Sequence, residues 1–202
     1  MIKLLLAGVE ILKLLPLSKY DITIVDKDTV DLSNLNRLFP FTLKDIGLHK
    51  SFLLSKIYNI KYFVQDILTF ENIDEYDLII VALDNVPSRM HLNYLYKMKN
   101  KGILIDCGVS RYNCHVFKST PTSFCLYCVS EMYEEEKGDV SCSREIREIM
   151  PSVCFINSIC ASLVFLMIED EVNNFYIYNG RDGVYLCKMN LKRNKKCILC
   201  NA

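Results

Sequence analysis

Short apolar runs alternate with segments of helical apolar spacing through the first half of the chain, and this alternation limits the possible folds more than any other feature. The runs that predict strands are bounded by turn or acidic residues and cover residues 2–8, 22–26, 61–67, 76–83 and 102–109. Helical patterns lie between them at residues 9–17, 45–59 and 87–99. Strands that alternate with helices indicate a parallel sheet with helices on both faces. We therefore predict an α/β fold with a Rossmann-like, mostly parallel sheet flanked by helices.

The pattern changes after residue 110. The segments "RYNCHVFKS" and "FYIYNGRDGVYLCKMNL" predict antiparallel strands, the second of them a hairpin around Gly180 and Gly183. Residues 152–168 are apolar but include Asn157 and small polar residues, which predicts a buried helix, because a membrane span needs about 20 apolar residues. We expect one domain over residues 1–202, with an antiparallel C-terminal part.

Charge and composition exclude several classes of function. The chain has 24 basic and 24 acidic side chains, and a net charge of zero gives no general affinity for nucleic acid. Glu10 and Lys13 interrupt the apolar N-terminus, and no small-residue cleavage pattern follows, which argues against a signal peptide. We expect a cytoplasmic or nuclear protein that does not enter a membrane.

The cysteines form two groups. A disulfide scaffold is disfavoured for the 10 cysteines, since no secretory signal precedes them. The pairs "CLYC" and "CILC" predict a structural zinc site of four thiolates that joins the C-terminal tail to the domain; the alternative is two unrelated pairs. The zinc ligands would be Cys125, Cys128, Cys197 and Cys200. The residues predicted to lie in the core are Cys107, Cys114, Cys154, Cys160 and Cys187.

Acidic residues follow three of the predicted strands. Ligands of open parallel sheets bind beyond the carboxyl ends of the strands, and Asp26, Asp84 with Asn85, and Asp106 are predicted to lie there. An acidic residue that closes a strand beside a glycine turn typically binds the ribose of a nucleotide, which suits Asp26. Mg²⁺ prefers one or two carboxylates plus phosphate oxygens, which suits Asp84. The alternative is that these polar residues cap the helices that follow.

Two basic residues add to this pattern. Arg37 and Lys50 could supply positive charge to a triphosphate, Arg37 through its planar fork and Lys50 as a point charge. Charge on the phosphates must be neutralised when an oxygen attacks them. The combination favours nucleotidyl transfer.

The motifs "DKDTVDLSNLNRLF" (26–39), "DIGLHK" (45–50) and "ALDNVPSR" (82–89), with both C-x-x-C pairs, resemble the adenylation domain of ubiquitin-like modifier-activating enzymes. The resemblance runs nearly end to end. "SNLNR" is more similar to the eukaryotic catalytic subunits than to the bacterial sulfur-carrier adenylyltransferases. "LDNVPSR" is similar to the SUMO-activating catalytic subunit, and "FYIYNGRDGVYLCKMN" to the neddylation-activating one.

The resemblance implies roles for the matching residues. ATP, Mg²⁺ and a structural Zn²⁺ would be the cofactors, with Asp26 on the ribose and Asp84 on Mg²⁺. Asn34, Arg37 and Lys50 would contact the phosphates. The remaining residues of the nucleotide pocket would be Asn36, Asn85 and Arg89. The implied partners are a ubiquitin-like modifier, a second related subunit that completes a heterodimer, and a conjugating enzyme.

The resemblance also implies a nucleophile. In the family, ATP adenylates the C-terminal glycine of the modifier, and an enzyme cysteine captures the acyl-adenylate, since adenylate is a good leaving group. Cys142, in "DVSCSREI", lies at a similar distance after the first C-x-x-C pair. Arg144 and Arg147 could favour its thiolate form. The alternative is a loop cysteine without chemistry.

Three departures from the family pattern bear on activity. The family has a G-x-G-x-x-G turn after its first strand, whereas "LLLAGVEILKLL" keeps only Gly8, so a poorer phosphate cradle is expected. The inserted catalytic-cysteine domain is expected to be absent, because the helix pattern at 152–168 follows Cys142 closely. The C-terminal ubiquitin-fold domain is also expected to be absent.

Three functions agree with these residues. The first is a reduced catalytic subunit that adenylates a ubiquitin-like modifier and then carries it as a thioester on Cys142. The second is an adenylyltransferase for a sulfur-carrier protein, which the length fits better and "SNLNR" fits worse. The third is a degenerate, non-enzymatic domain that binds a modifier or supports an active subunit, which the reduced glycine turn favours.

Overall fold

The computed structural model describes residues 1–9, 11–12, 17–38, 40–110, 112–134, 154–181 and 183–200. The described strands are β1 Ile2–Ala7, β2 Tyr20–Val25, β3 Lys61–Phe63, β4 Leu78–Val81, β5 Ile103–Val109, β6 Asn113–Ser119, β7 Phe175–Asn179 and β8 Tyr185–Met189. They form one sheet in the order β3-β2-β1-β4-β5-β6-β7-β8. The first five strands in this order run parallel, and β6, β7 and β8 are antiparallel. The predicted mostly parallel sheet with an antiparallel C-terminal part is confirmed.

The described helices are α1 Lys50–Tyr58, α2 Val86–Lys99, α3 Glu131–Glu134 and α4 Cys154–Glu169. Short 3-10 turns occur at Leu17–Lys19, Leu32–Asn34, Leu43–Asp45, Ile67–Thr69 and Leu126–Val129. Asn59 ends α1 and Asn100 ends α2 in the left-handed conformation, which asparagine tolerates at a helix C-terminus. Within the described ranges, no helix combines the length and the apolar character that a membrane crossing requires.

Successive side chains along each strand point to opposite faces of the sheet, and helices cover both faces. Leu4 and Leu6 of β1 face a core that includes Leu54 of α1 and Val164 of α4. Leu5 of β1 faces the other core, to which α2 contributes Leu92 and Tyr96. These central strands are buried on both faces, as the continuous apolar runs predict.

Two predicted elements are shorter in the structure. The strand predicted at 61–67 ends at Phe63, since Asp66 begins a 3-10 turn by accepting a hydrogen bond from the Leu68 N–H at 3.0 Å. The helix predicted at 45–59 begins at Lys50. Of the helix predicted at 9–17, residues 10 and 13–16 lie outside the described chain.

Candidate functional site

The strand order places β1 beside β4, so the chain reverses its direction of winding between these two strands. Open parallel sheets bind ligands at such a point, outside the carboxyl ends of the strands. Gly8 follows β1 with a φ of +88°, and a Cβ atom there would overlap the carbonyl oxygen of Ala82. The Ala82 N–H also donates to the Ala7 oxygen at 2.8 Å. Glycine is therefore required where the ends of β1 and β4 meet.

The loop after β2 brings two of the predicted site residues together. Asp26 is half-buried, and its Oδ1 accepts a hydrogen bond from the Asp28 N–H at 2.7 Å. Lys50 begins α1 and is only 7% exposed. Its N–H donates to the Asp28 oxygen at 2.9 Å, and its Nζ lies 3.2 Å from Asp28 Oδ2. Asp28 thus ties Lys50 to the loop that carries Asp26.

The turn at residues 31–38 holds itself together by a reciprocal cap. The Ser33 N–H donates to Asp31 Oδ1 at 2.8 Å, and the Asp31 N–H donates to Asn34 Oδ1 at 2.9 Å. Asn34 is only 6% exposed, so its Oδ1 is used inside the turn. Arg37 is half-buried and donates from Nη1 to the Ser33 oxygen at 2.9 Å, while Asn36 is exposed. The turn therefore sets the position of Arg37.

Asp84 and Asn85 lie after β4, and both are exposed. Asn85 caps α2, because its Oδ1 accepts a hydrogen bond from the Ser88 N–H at 2.9 Å. Its Nδ2 donates to Asp84 Oδ1 at 3.1 Å. The capping alternative thus holds for Asn85, and the same side chain orients the Asp84 carboxylate. One exposed carboxylate fits Mg²⁺, which takes its other ligands from phosphates and water.

Asp106 does not lie at a strand end, which corrects the sequence-based prediction. β5 continues to Val109 because β6 pairs with it, and Asp106 is 0% exposed inside the strand. Arg89 is 8% exposed and donates from Nη1 to Asp106 Oδ1 at 2.6 Å and from Nη2 to the Leu83 oxygen. Burial alone would raise the pKa of Asp106, but the Arg89 charge and hydrogen bonds from neighbouring side chains lower it. Arg89 therefore faces the interior.

Two further residues bind the Asp106 carboxylate, and sequence reasoning missed both. The Tyr133 hydroxyl donates to Asp106 Oδ2 at 2.9 Å, and His115 Nε2 lies 3.4 Å from the same oxygen. Their rings meet edge to face with centroids 6.1 Å apart. An acidic residue inside the apolar run "GILIDCGV" signals a buried charge that needs partners. No local pattern indicates which partners these are.

The predicted cysteine cluster is present in the described chain. Its four Sγ atoms lie within 4.8 Å of one another; Cys125 and Cys197 are 3.6 Å apart, as are Cys128 and Cys200. Sulfur ligands of a tetrahedral zinc ion lie about 3.8 Å apart. Burial raises the pKa of Cys125, and burial with the neighbouring sulfurs raises that of Cys200. Four thiolates this close would repel one another unless a cation were bound between them, and the cluster could hold such a metal ion.

Hydrogen bonds to backbone atoms support the first C-x-x-C pair. The Leu126 N–H donates to Asn93 Oδ1 of α2 at 3.0 Å. Lys97 of α2 donates from Nζ to the Thr120 oxygen at 3.0 Å. From the C-terminal tail, Arg193 donates to the oxygens of Pro121 at 2.7 Å and Ser123 at 3.1 Å. The cysteine cluster therefore lies where α2, the turn at 120–124 and the tail meet.

The other cysteines divide by burial. Cys107, Cys114 and Cys160 are buried as predicted, and Cys154 is half-buried. Cys187 is exposed, so its prediction as a core residue is wrong; β8 pairs with β7 along one side and is exposed along most of its length. Cys142 lies outside the described residues.

Comparisons with known proteins agree on the family. The ThiF family model matches residues 3–199. The NEDD8-activating enzyme E1 catalytic subunit of Schizosaccharomyces pombe is 30% identical over 222 residues, which cover 94% of this chain and 50% of that protein. The ubiquitin-activating enzyme E1-like protein of Saccharomyces cerevisiae is 32% identical over 162 residues, which cover 74% of this chain and 25% of that protein. The chain thus spans half or less of the length of these relatives.

A solved structure shows the same fold. Escherichia coli MccB, crystallised with AMPCPP and MccA, superposes with a TM-score of 0.79 at 15% identity. The match covers 98% of this chain and 66% of that one. Because the identity is low, this likeness bears on the fold alone.

Proposed function

This chain belongs to the ThiF family, and on that premise we propose that it adenylates the C-terminus of a ubiquitin-like modifier with ATP, as a reduced catalytic subunit of a heterodimeric activating enzyme. The observation that carries the proposal is the Asp84 carboxylate, exposed and oriented by Asn85 at the point where the strand order reverses. Relatives named as NEDD8- and SUMO-activating subunits support it.

Each described residue of this rim has a place in the reaction. Asp26 would bind the ribose hydroxyls, and Asp84 would bind Mg²⁺ together with phosphate oxygens. Arg37 and Lys50 would neutralise charge on the phosphates while a modifier carboxylate oxygen attacks the α-phosphorus and pyrophosphate leaves. Asn34 supports this arrangement through the turn that fixes Arg37.

A second step completes the proposed activity. The Cys142 thiolate would attack the acyl carbon of the adenylate, so that a C–S bond forms, the C–O bond to AMP breaks, and AMP leaves. The modifier would then pass to a conjugating enzyme. In this proposal, residues 135–153 stand where larger catalytic subunits carry an inserted domain.

The four-cysteine cluster has a structural part in the proposal. Zn²⁺ on these four cysteines would fasten the C-terminal tail to α2 and the turn at 120–124. A structural site with four protein ligands leaves no open position for substrate, which separates this cluster from the reaction at Asp84.

Adenylation of a sulfur-carrier protein is the second candidate. A probable molybdopterin-synthase adenylyltransferase of Porphyra purpurea is 40% identical over 78 residues, or 34% of this chain and 20% of that protein. Both candidates require modifier-dependent ATP–pyrophosphate exchange. They differ in the acceptor, since only the first forms a thioester on Cys142 that thiols cleave.

The test is ATP–pyrophosphate exchange with the purified full chain and a panel of ubiquitin-like and sulfur-carrier proteins, alone and with candidate partner subunits. We expect exchange that depends on one protein of the panel. Asp84→Ala should reduce this exchange at least about 100-fold by removing the metal carboxylate. Asp74→Ala, which changes an exposed carboxylate before the amino end of β4, is the matched control and should leave exchange unchanged.

Two outcomes would contradict the proposal. If folded, zinc-loaded protein supports no ATP–pyrophosphate exchange with any protein of the panel, the third candidate, a non-enzymatic domain, is favoured. The single glycine after β1 supports that candidate. A thiol-sensitive modifier conjugate that still forms with Cys142→Ala would contradict the assignment of the nucleophile.

A further inference from the structure

Asp106 is a charged group at the centre of a buried network that the proposed reaction does not use directly. Three elements donate to its carboxylate: α2 through Arg89, α3 through Tyr133 and β6 through His115. Its complete burial excludes contact with substrate. Buried ion pairs of this kind contribute little net stability compared with apolar packing, because desolvation offsets their attraction. Stability alone therefore does not explain the presence of this buried network.

Arg89 connects this carboxylate to the candidate metal residue. One guanidinium nitrogen donates to Asp106 and another donates to the carbonyl oxygen of Leu83, which immediately precedes Asp84. A planar guanidinium fixes the angle between its two acceptors, which the single ammonium of lysine cannot do. Asp106 and Arg89 thus fix the backbone on one side of Asp84, while Asn85 holds its side chain from the other.

The β5–β6 pairing shapes the same network. Gly108 lies opposite His115 in the ladder, and a Cβ atom at Gly108 would overlap the His115 ring at Cε1. Because Gly108 has no side chain, the imidazole can occupy this space, with Nε2 3.4 Å from Asp106 Oδ2, the carboxylate oxygen that Arg89 does not bind. Both carboxylate oxygens are then bound, which holds the group in one orientation for Arg89.

We propose that Asp106, acting through Arg89, is a positioning residue that sets the Leu83–Asp84 backbone and thereby the Mg²⁺ affinity of Asp84. This inference rests on the proposed adenylation at that site. It places the control of metal binding in a buried pair that touches neither ATP nor metal.

The experiment compares Arg89→Lys with Arg193→Lys in the full chain. Arg193 is a matched control because it also donates to backbone carbonyls but does so beside the cysteine cluster. The first readout is the Mg²⁺ concentration for half-maximal exchange, measured separately from kcat at saturating Mg²⁺. The second is the rate of amide hydrogen exchange at residues 84–86, which needs no activity.

For Arg89→Lys we expect the half-maximal Mg²⁺ concentration to rise about tenfold with kcat changed less than about twofold, since only the positioning of the metal carboxylate is lost. Amide exchange at residues 84–86 should also become faster. Arg193→Lys should change neither readout. If both variants lower the melting temperature alike while Mg²⁺ dependence and amide exchange stay at wild-type values, the inference is wrong.

Tyr133→Phe perturbs the Asp106 network less than Arg89→Lys does, and it tests the same inference if Arg89→Lys does not fold. It removes one hydrogen bond to Asp106 and leaves the ion pair, so a shift of about two- to threefold in half-maximal Mg²⁺ is expected. No shift in this variant would overturn the inference. If wild-type protein shows no exchange at all, the proposed function fails, while amide exchange at 84–86 still decides whether Arg89 positions this loop.

Discussion

The central strands of the sheet and the C-terminal end of the chain, from β8 onwards, are stabilised in different ways. Strands β1, β2, β4 and β5 are buried between two helical layers, and apolar packing holds them. Strand β8 is largely exposed, and the chain that follows it returns to the protein through side-chain contacts with backbone atoms and through the cysteine cluster. The first of these contacts is made by Asn174, whose Oδ1 accepts from the Leu191 N–H at 2.7 Å and whose Nδ2 donates to the Leu191 oxygen at 2.9 Å.

The candidate nucleotide residues and the residues that attach the C-terminal tail therefore lie in different parts of the molecule. The candidate nucleotide residues lie on the rim of the parallel part, where rigid buried strands fix their positions. The cysteine cluster joins α2 and the turn at 120–124 to the C-terminal tail, whose residues 192–196 are all exposed. Damage to the cluster should therefore affect stability first, whereas damage to the rim should affect activity first.

The largest effect is expected at the cysteine cluster. Cys200→Ser should abolish stoichiometric zinc binding and remove more than about 3 kcal/mol of folding free energy, because binding to a structural zinc site contributes to folding. Zinc analysis and thermal unfolding measure both, with and without a chelator. Hydrogen exchange after chelation should appear in β7 and β8 before β1 and β4. An unchanged melting temperature after complete removal of zinc would show that the cluster does not stabilise the fold.

Gly8→Ala should give the next largest effect, about 3 kcal/mol, from a strained φ together with overlap on the Ala82 oxygen. Gly47→Ala is the control, since Gly47 has nearly the same φ, +86°, and a Cβ atom there meets nothing within 4 Å. It should cost only about 1 kcal/mol. Urea unfolding of both variants isolates the contact between β1 and β4. Equal losses would mean that this contact is not tight.

Arg193→Ala should destabilise the protein by about 1–2 kcal/mol, because the carbonyl oxygens of Pro121 and Ser123 lose a charged donor. This loss of stability should be smaller when the cysteine cluster holds no metal, since Arg193 and the cluster attach the same C-terminal tail. A double-mutant cycle with Cys200→Ser measures this coupling. Strict additivity would indicate that the arginine and the cysteines act independently.

The smallest effect is expected for Cys187→Ser, within about 0.5 kcal/mol, because Cys187 is exposed on β8. It is also the control for Cys200→Ser, as the same substitution outside the cluster. Zinc content should stay at the wild-type level. Any loss of zinc in this variant would mean that the metal ligands have been assigned wrongly.

Local patterns in the sequence account for much of the architecture. Alternating apolar runs predicted the parallel strands, and the change after residue 110 predicted the antiparallel ones. The C-x-x-C spacing predicted which four cysteines meet, because only these come as two closely spaced pairs. The polar residues after β4 were predicted to cap a helix or line a rim, and Asn85 does cap α2. The role of Cys142 and the contacts of the rim with ATP and metal stay predictions.

The errors share one cause. Cys187 was predicted to be buried because its neighbours in sequence are apolar, but β8 lies at the sheet edge where no further strand of the described chain covers it. Asp106 was predicted to lie at a rim because it was expected to follow a strand, but pairing with β6 carries β5 past it. Both outcomes depend on which strand lies beside which.

The sequence by itself determined the type of each main element, the family and the identity of the cysteine cluster, since periodicity, motif and spacing are local properties of the chain. The tertiary structure alone decided that Gly8 must be glycine against Ala82, that Arg89 turns inward, and that Asp106 gathers donors from three elements. These features arise from the order β1-β4-β5-β6 across the sheet. That order brings together residues far apart in sequence, and the free energy of their contacts is realised only when the whole sheet has formed.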